Sequence, residues 1–112
     1  AFVQEAVEEA LHLDRALSRL DAEQRDIKKI AVLHYSPIKE TIAGEPEPIY
    51  PFLGCSRLAE PLNRHKVIAA FHGHAHIGSM VGHTSDGVPV YNVARPILQK
   101  NDPNASFYLL EV

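Results

Sequence analysis

The first two dozen residues alternate apolar and polar positions with the period of a helix. Apolar side chains recur every three or four residues from Phe2 to Leu20, and acidic or basic side chains occupy most of the positions between them. An apolar stripe of this period is typical of an amphipathic helix packed on a protein body. We therefore predict one helix over residues 2–24, with its acidic face in solvent.

Two short runs of consecutive apolar residues follow, at 30–33 and 67–71. A run without polar alternation is typical of a strand that is buried on both faces of a sheet. The first run leads directly into His34 and the second into His72, so each predicted strand ends at a histidine. If the two strands are neighbours in a parallel sheet, their carboxyl ends lie about 5 Å apart.

Breakers and turn signals predict the other elements. Frequent Pro and Gly indicate a loop over 37–52, and Pro61 could end the following helix early. The remaining predicted elements are a helix over 53–65, strands over 79–84 and 88–94 around a turn at 85–87, a turn over 101–104 and a closing strand over 107–112. This order predicts an α/β domain with a mixed sheet, flanking helices and a C-terminal antiparallel meander.

Composition narrows the class of protein. The chain has 112 residues, 46% of them hydrophobic, and a formal charge of −3, which describes one small globular domain. The mild acidity gives no indication of a nucleic-acid groove, and the apolar runs are too short to span a membrane. A single cysteine, Cys55, excludes an internal disulfide and fits a reducing compartment, so we expect a cytoplasmic protein. The simplest interpretation of Cys55 is a small buried apolar residue.

Histidine is concentrated where formal charge is scarce. Between Val67 and Ala94 the only formally charged residue is Asp86, yet four of the seven histidines lie there. Neutral imidazole is the commonest protein ligand for metal ions. Gly73 is expected to let the backbone turn after its strand, so that His74 and His76 point in directions that reach two neighbouring ions.

His34, His74 and His76 would then share one crevice as metal ligands, with ions about 3.5–4 Å apart. The plain alternative is three core or surface histidines with ordinary hydrogen bonds.

Two motifs resemble those of one enzyme family. The segment Phe71-His72-Gly73-His74-Ala75-His76 resembles the Gly-His-x-His motif of calcineurin-like metallophosphoesterases, and Val32-Leu33-His34-Tyr35-Ser36-Pro37 resembles their upstream strand-His-x-x-Pro motif. The resemblance implies that residues 1–112 are the C-terminal portion of a layered metallophosphoesterase-type sandwich domain. It implies hydrolysis of phosphomonoesters or phosphodiesters at a dinuclear site, with a metal-bridging hydroxide as the nucleophile.

The same resemblance implies particular ligands and cofactors. His34 and His74 resemble the two histidine ligands of one metal, and His76 resembles the histidine ligand of the other. The cofactors would be two divalent or trivalent ions, Mn, Fe, Zn or Ni. The substrate would be a phosphate-ester small molecule or a nucleotide.

The chain also departs from the family pattern. The Asp-x-His, Gly-Asp and Gly-Asn-His motifs that supply the other ligands and an acid are absent, and Asn63-Arg64-His65 lacks the glycine and the preceding strand. We therefore expect the chain alone to be catalytically silent, to bind metal weakly and to self-associate through uncovered strands. Two alternatives stay open: a non-catalytic metal-binding or interaction module, and a histidine-rich α/β fragment that binds no metal.

Other polar residues are weaker candidates. His72 shares a strand face with His74, but a hydrogen-bonded core histidine is the simpler interpretation. Tyr35 and Asn92 could orient a phosphate oxygen, although packing and a strand-end hydrogen bond are simpler. Arg57 and Arg95 could clamp phosphate, although solvated surface arginine is simpler. No role is predicted for the remaining histidines, which are His12, His65 and His83.

Overall fold

A computed structural model describes residues 2–24, 26–45, 56–105 and 107–111. The predicted first helix is present as α1 (Phe2–Glu23). Its apolar stripe buries Ala10 and Leu17, which lie two turns apart on one side of the helix. The stripe packs against a 3₁₀ helix (Ser56–Leu58) and α2 (Ala59–Arg64). The apolar stripe is therefore the face through which α1 packs on the rest of the domain.

The described strands form one mixed sheet in the order β1-β2-β4-β3. Strands β1 (Ile30–Leu33), β2 (Ala69–His72) and β4 (Pro89–Asn92) run parallel, and β3 (Val81–His83) pairs antiparallel with β4. The predicted α/β class, the mixed sheet and the antiparallel hairpin are therefore confirmed. The metallophosphoesterase-type sandwich itself is not tested by this sheet.

One face of the sheet is covered by helices. Cross-strand neighbours Ala31, Ala70 and Val90 are buried there together with Leu17 of α1 and Leu62 of α2. This layer is the main hydrophobic core of the described residues.

The prediction that both parallel strands are buried on both faces is wrong for β1. Val32 is 82% exposed and Ile30 is 44% exposed. The strand lies at the edge of the sheet, and the described helices cover only the opposite face. On β2, Phe71 is half-buried because it stacks on Tyr91 of β4 with ring centroids 5.2 Å apart.

The C-terminal segment differs from its prediction. Residues 107–111 pair with no strand, so the closing strand is wrong over the described range. Instead Tyr108 stacks on Tyr91 with ring centroids 5.0 Å apart, which lays the segment across the sheet face. The chain also forms an unpredicted helix, α3 (Arg95–Asn101), which buries Ile97 and Leu98.

The segment before β2 follows the prediction in part. The predicted loop over 37–52 contains a 3₁₀ helix (Glu40–Ile42), and its residues 46–52 lie outside the described range, as do residues 53–55 of the predicted second helix. Pro61 does not end α2, because it lies in the first turn, where a missing N–H is tolerated. Within the described residues, no helix combines the length and the apolar character that crossing a bilayer requires.

Candidate functional site

Two of the three predicted site histidines meet at the carboxyl ends of neighbouring strands. Leu33 is paired with His72 where β1 and β2 end, so His34 and His74 emerge at the same edge of the sheet. Their ring centroids lie 4.5 Å apart with the planes inclined by 36°. Both side chains are exposed. Adjacent parallel strands therefore bring together two imidazoles that are 40 positions apart in the sequence.

The backbone turns at His74 and not at Gly73. His74 has φ +68°, a left-handed conformation that costs a non-glycine residue about 1 kcal/mol. The amide of Ala75 donates to the carbonyl oxygen of Gly73 at 2.8 Å, which closes this tight turn. Gly73 does not have a positive φ, and a β-carbon on it would meet no atom within 4 Å, so the turn does not use the conformational freedom expected of Gly73. The strain is placed on a candidate ligand.

Asn92 supports the turn from inside the protein. It is fully buried, and its side-chain amide donates to the carbonyl oxygens of Ala75 and Thr41, at 3.0 Å each. Its side-chain oxygen accepts from the amide of Ala94 at 3.0 Å. Since these bonds commit the side chain to holding loops, the structural interpretation of Asn92 applies in place of a phosphate contact.

His72 is a hydrogen-bonded core histidine. Its side chain is 1% exposed, with Nε2 2.7 Å from the Thr41 hydroxyl and Nδ1 3.0 Å from the carbonyl oxygen of Gly73. Burial lowers the pKa of His72, against an opposing effect of the Gly73 carbonyl. The neutral ring donates from Nδ1 to that carbonyl and accepts the Thr41 hydroxyl hydrogen at Nε2. His72 thereby ties the end of β2 to the 3₁₀ helix at Glu40–Ile42.

The third predicted ligand lies apart from the pair. The His76 side chain is exposed, and no ring contact with His34 or His74 occurs among the described residues. Its backbone N–H instead donates to Glu45 Oε1 at 2.9 Å. Ring contact therefore joins two of the three imidazoles, and a crevice shared by all three stays a prediction.

A cavity of 340 Å³ opens beside His34 and contains groups that the sequence did not single out. Its lining consists of Glu8, Glu9, His12, His34 and Tyr35. Glu8 and His12 are four residues apart on α1, a spacing that puts both on one face of a helix. That spacing could have indicated the cavity from the sequence. It was missed because an acidic helix face is most simply interpreted as a solvated surface. Tyr35 contacts the His34 ring edge to face, with centroids 5.1 Å apart.

The donor set near His34 fits part of a metal site. Neither His34 nor His74 has a hydrogen bond at a ring nitrogen within the described ranges, so the nitrogens of two touching imidazoles are available to an ion. Across those same ranges, no set of three or more His, Cys, Asp or Glu side chains is assembled to hold one. Arg57 and Arg95 are exposed and do not line the cavity at His34.

Comparison with known proteins gives no match to a family model, to a curated protein or to a solved structure.

Proposed function

We propose that this chain supplies part of the metal site of a metal-dependent phosphoesterase, with the layered sandwich fold of the calcineurin-like metallophosphoesterases. His34 and His74 bind one ion, and His76 contributes to a second. The observation that carries the proposal is the contact between the first two rings at the carboxyl ends of two parallel strands. Open α/β sheets place their ligands at this edge.

The chemistry divides between ions and protein. Bound metal ions would supply Lewis acidity at the phosphoryl group of a phosphomonoester or phosphodiester. The protein positions the ligands: Tyr35 packs edge to face against His34, and Asn92 fixes the turn at His74 by a hydrogen bond to the Ala75 carbonyl. Support of this kind sets ligand orientation and metal affinity.

The remaining ligands have to come from outside the assembled pair. Carboxylates are the donors that a dinuclear site needs beside imidazole, and Glu8 and Glu9 of α1 line the same cavity as His34. They do not form a ligand group with the histidines in this arrangement. A second ion would therefore need donors other than these residues, such as the motifs that the family has and this sequence lacks.

A non-catalytic metal-binding module is the second candidate. The observation that favours it is the donor set among the described residues, where two imidazoles touch and no carboxylate is assembled with them. Such a pair would bind one ion but would not hold a bridged pair of ions. Such a site would give metal affinity without turnover.

Calorimetric titration with Zn²⁺ and Mn²⁺ tests the site. We expect His34→Ala and His74→Ala each to abolish the binding that the unsubstituted chain shows, and His83→Ala, which removes an exposed histidine on β3, to leave it unchanged. Equal binding in all four proteins would refute the metal site. Hydrolysis of a chromogenic phosphodiester by the natural protein, lost in His74→Ala, would then separate the phosphoesterase from the binding module.

A further inference from the structure

The backbone that follows the paired histidines converges on a single carboxylate oxygen. The N–H groups of His76 and Ile77 both donate to Glu45 Oε1, at 2.9 Å each. Consecutive amides aimed at one point form the kind of concavity in which proteins bind anions. The anion here is a side chain of the same molecule, placed three residues beyond the 3₁₀ helix at Glu40–Ile42.

The direction of the two amides is set by contacts that do not involve Glu45. On one side, Ala75 is fully buried and its carbonyl oxygen accepts from Asn92. On the other, Gly78 has φ +134° and lies so close to Thr41 that an added β-carbon would be 2.2 Å from the Thr41 carbonyl oxygen. Both ends of the segment are therefore held by the core, and the concavity is formed in advance of any anion.

Glu45 itself is held much less firmly. Within the described residues its carboxylate makes hydrogen bonds to these two amides and no ion pair, and both contacts are exposed to solvent. The preceding Gly44 has φ +101°, a conformation that favours glycine, and a β-carbon added to it would lie 2.8 Å from Ile77 Cγ2. A solute anion can therefore reach the amides and replace the carboxylate without disturbing the core.

We propose that the His76 and Ile77 amides are an oxyanion site for the phosphate group of the substrate, and that Glu45 is a built-in competitor that occupies the site until phosphate displaces it. The exposed side chain of His76 and the nearby His74 flank the amides, so a phosphate bound there lies beside the proposed metal ligands. The identity of the anion as a substrate phosphate rests on the proposed function. Anion binding by the amide pair does not.

Competition for the amides is measurable without metal. Inorganic phosphate is titrated into the ¹⁵N-labelled chain at constant ionic strength, with chloride as the balancing anion, and the His76 and Ile77 amide resonances are followed. We expect Glu45→Gln, which keeps the length of the side chain but not its charge, and Glu45→Ala, which vacates the amides, to lower the phosphate Kd about tenfold. The matched control is Glu60→Ala, which removes the same charge from the exposed face of α2 and leaves the Kd unchanged.

The proposal would be overturned if phosphate moved neither amide resonance in any variant. It would also be overturned if the unsubstituted chain and Glu45→Gln had the same phosphate Kd. If Glu45→Ala rearranges the loop, the phosphate Kd of Glu45→Gln decides the outcome. A parallel titration with phenyl phosphate separates a site for esters from one for free phosphate, since only a site for esters binds both. Because no metal is added, a failure here leaves the His34 and His74 metal site standing, and the loss of metal binding would leave the anion site standing.

Discussion

His65 and the pair formed by His34 and His74 have opposite surroundings in this protein. The ring of His65 is enclosed by carboxylates: Nδ1 lies 2.7 Å from Asp21 Oδ2, and Nε2 lies 2.8 Å from Asp14 Oδ1. Lys29 pairs with Asp21, and Arg64 pairs with Asp14 at 2.8 Å. The rings of His34 and His74 instead touch each other at an exposed sheet edge, and no carboxylate binds them within the described ranges.

The difference indicates what each group does. Both ring nitrogens of His65 face carboxylate oxygens, so the ring is held from two sides. This cluster, which we call the His65 anchor (Asp14, Asp21, Lys29, Arg64 and His65), links α1 to the end of α2 and to the residue that precedes β1. A histidine with both nitrogens bound holds structure, whereas a pair with unbound nitrogens is available to a ligand. No functional role is predicted for His65, and its contacts give it a structural one.

The largest expected effect lies beneath the anchor. Leu17 is 4% exposed in the core between α1 and the sheet, so Leu17→Ala should lower the free energy of unfolding by about 2–5 kcal/mol. His34→Ala, at the exposed pair, should change it by no more than about 0.5 kcal/mol. Urea denaturation of both variants measures the contrast. Equal losses would show that the exposed pair is as structural as the anchor.

Metal should act on the pair and not on the anchor. An ion at ten times its Kd stabilises the folded state by about 1.4 kcal/mol, because it binds the folded chain alone. We expect Zn²⁺ to raise Tm, His34→Ala to remove the increment, and His65→Gln to lower the starting Tm while keeping the increment. Thermal scans with and without Zn²⁺ check this. Loss of the Zn²⁺-dependent increase in Tm in His65→Gln would mean that His65 and the histidine pair belong to one metal site.

The turn at His74 provides a smaller effect of opposite sign. Glycine accepts φ +68° without strain, so His74→Gly should stabilise the fold by about 1 kcal/mol while removing a proposed ligand. Gly73→Ala is the matched comparison: its β-carbon meets open space and its φ is not positive, so the change should stay within about 0.5 kcal/mol. Chemical denaturation distinguishes them. Destabilisation by His74→Gly would mean that the imidazole holds the turn.

Much of the fold could be predicted from local signals in the sequence. The apolar run at 30–33 coincides with β1, and the Ser85-Asp86-Gly87 signal lies at the hairpin turn, where Gly87 has φ +86°. What failed depended on partners distant in sequence. Whether Val32 is covered, and whether residues 107–111 join the sheet, is decided by elements that pack from elsewhere and not by side-chain period.

The candidate site was predictable to the same extent. The proximity of His34 and His74 could be predicted because the end of a strand is a local feature of the sequence. Only a few strands were available as parallel neighbours. The His65 anchor joins residues 44 and 51 positions apart, since its aspartates lie on α1 and His65 follows α2, and no local motif marks such a contact. The amides that bind Glu45 are backbone groups, which every residue carries, so their convergence appears only in the fold.

The smallest expected effect is the response of the anchor to acid. The hydrogen bond from His65, with help from Arg64, lowers the pKa of Asp14 below 3.8, and bonds from Lys29 and then His65 lower that of Asp21. A depressed carboxyl pKa adds stability that is present in full above the unfolded value near 3.8 and is lost as pH falls through the folded value. The loss is modest because both carboxylates are solvent-accessible and screened.

Urea denaturation between pH 2 and 6 should show stability declining below about pH 4, with the decline reduced in Asp14→Asn and Asp21→Asn. His74→Ala, at the exposed pair, removes no carboxylate and should follow the unsubstituted chain throughout this range. A decline that is unchanged in both Asn variants would place the acid-sensitive contacts outside the anchor.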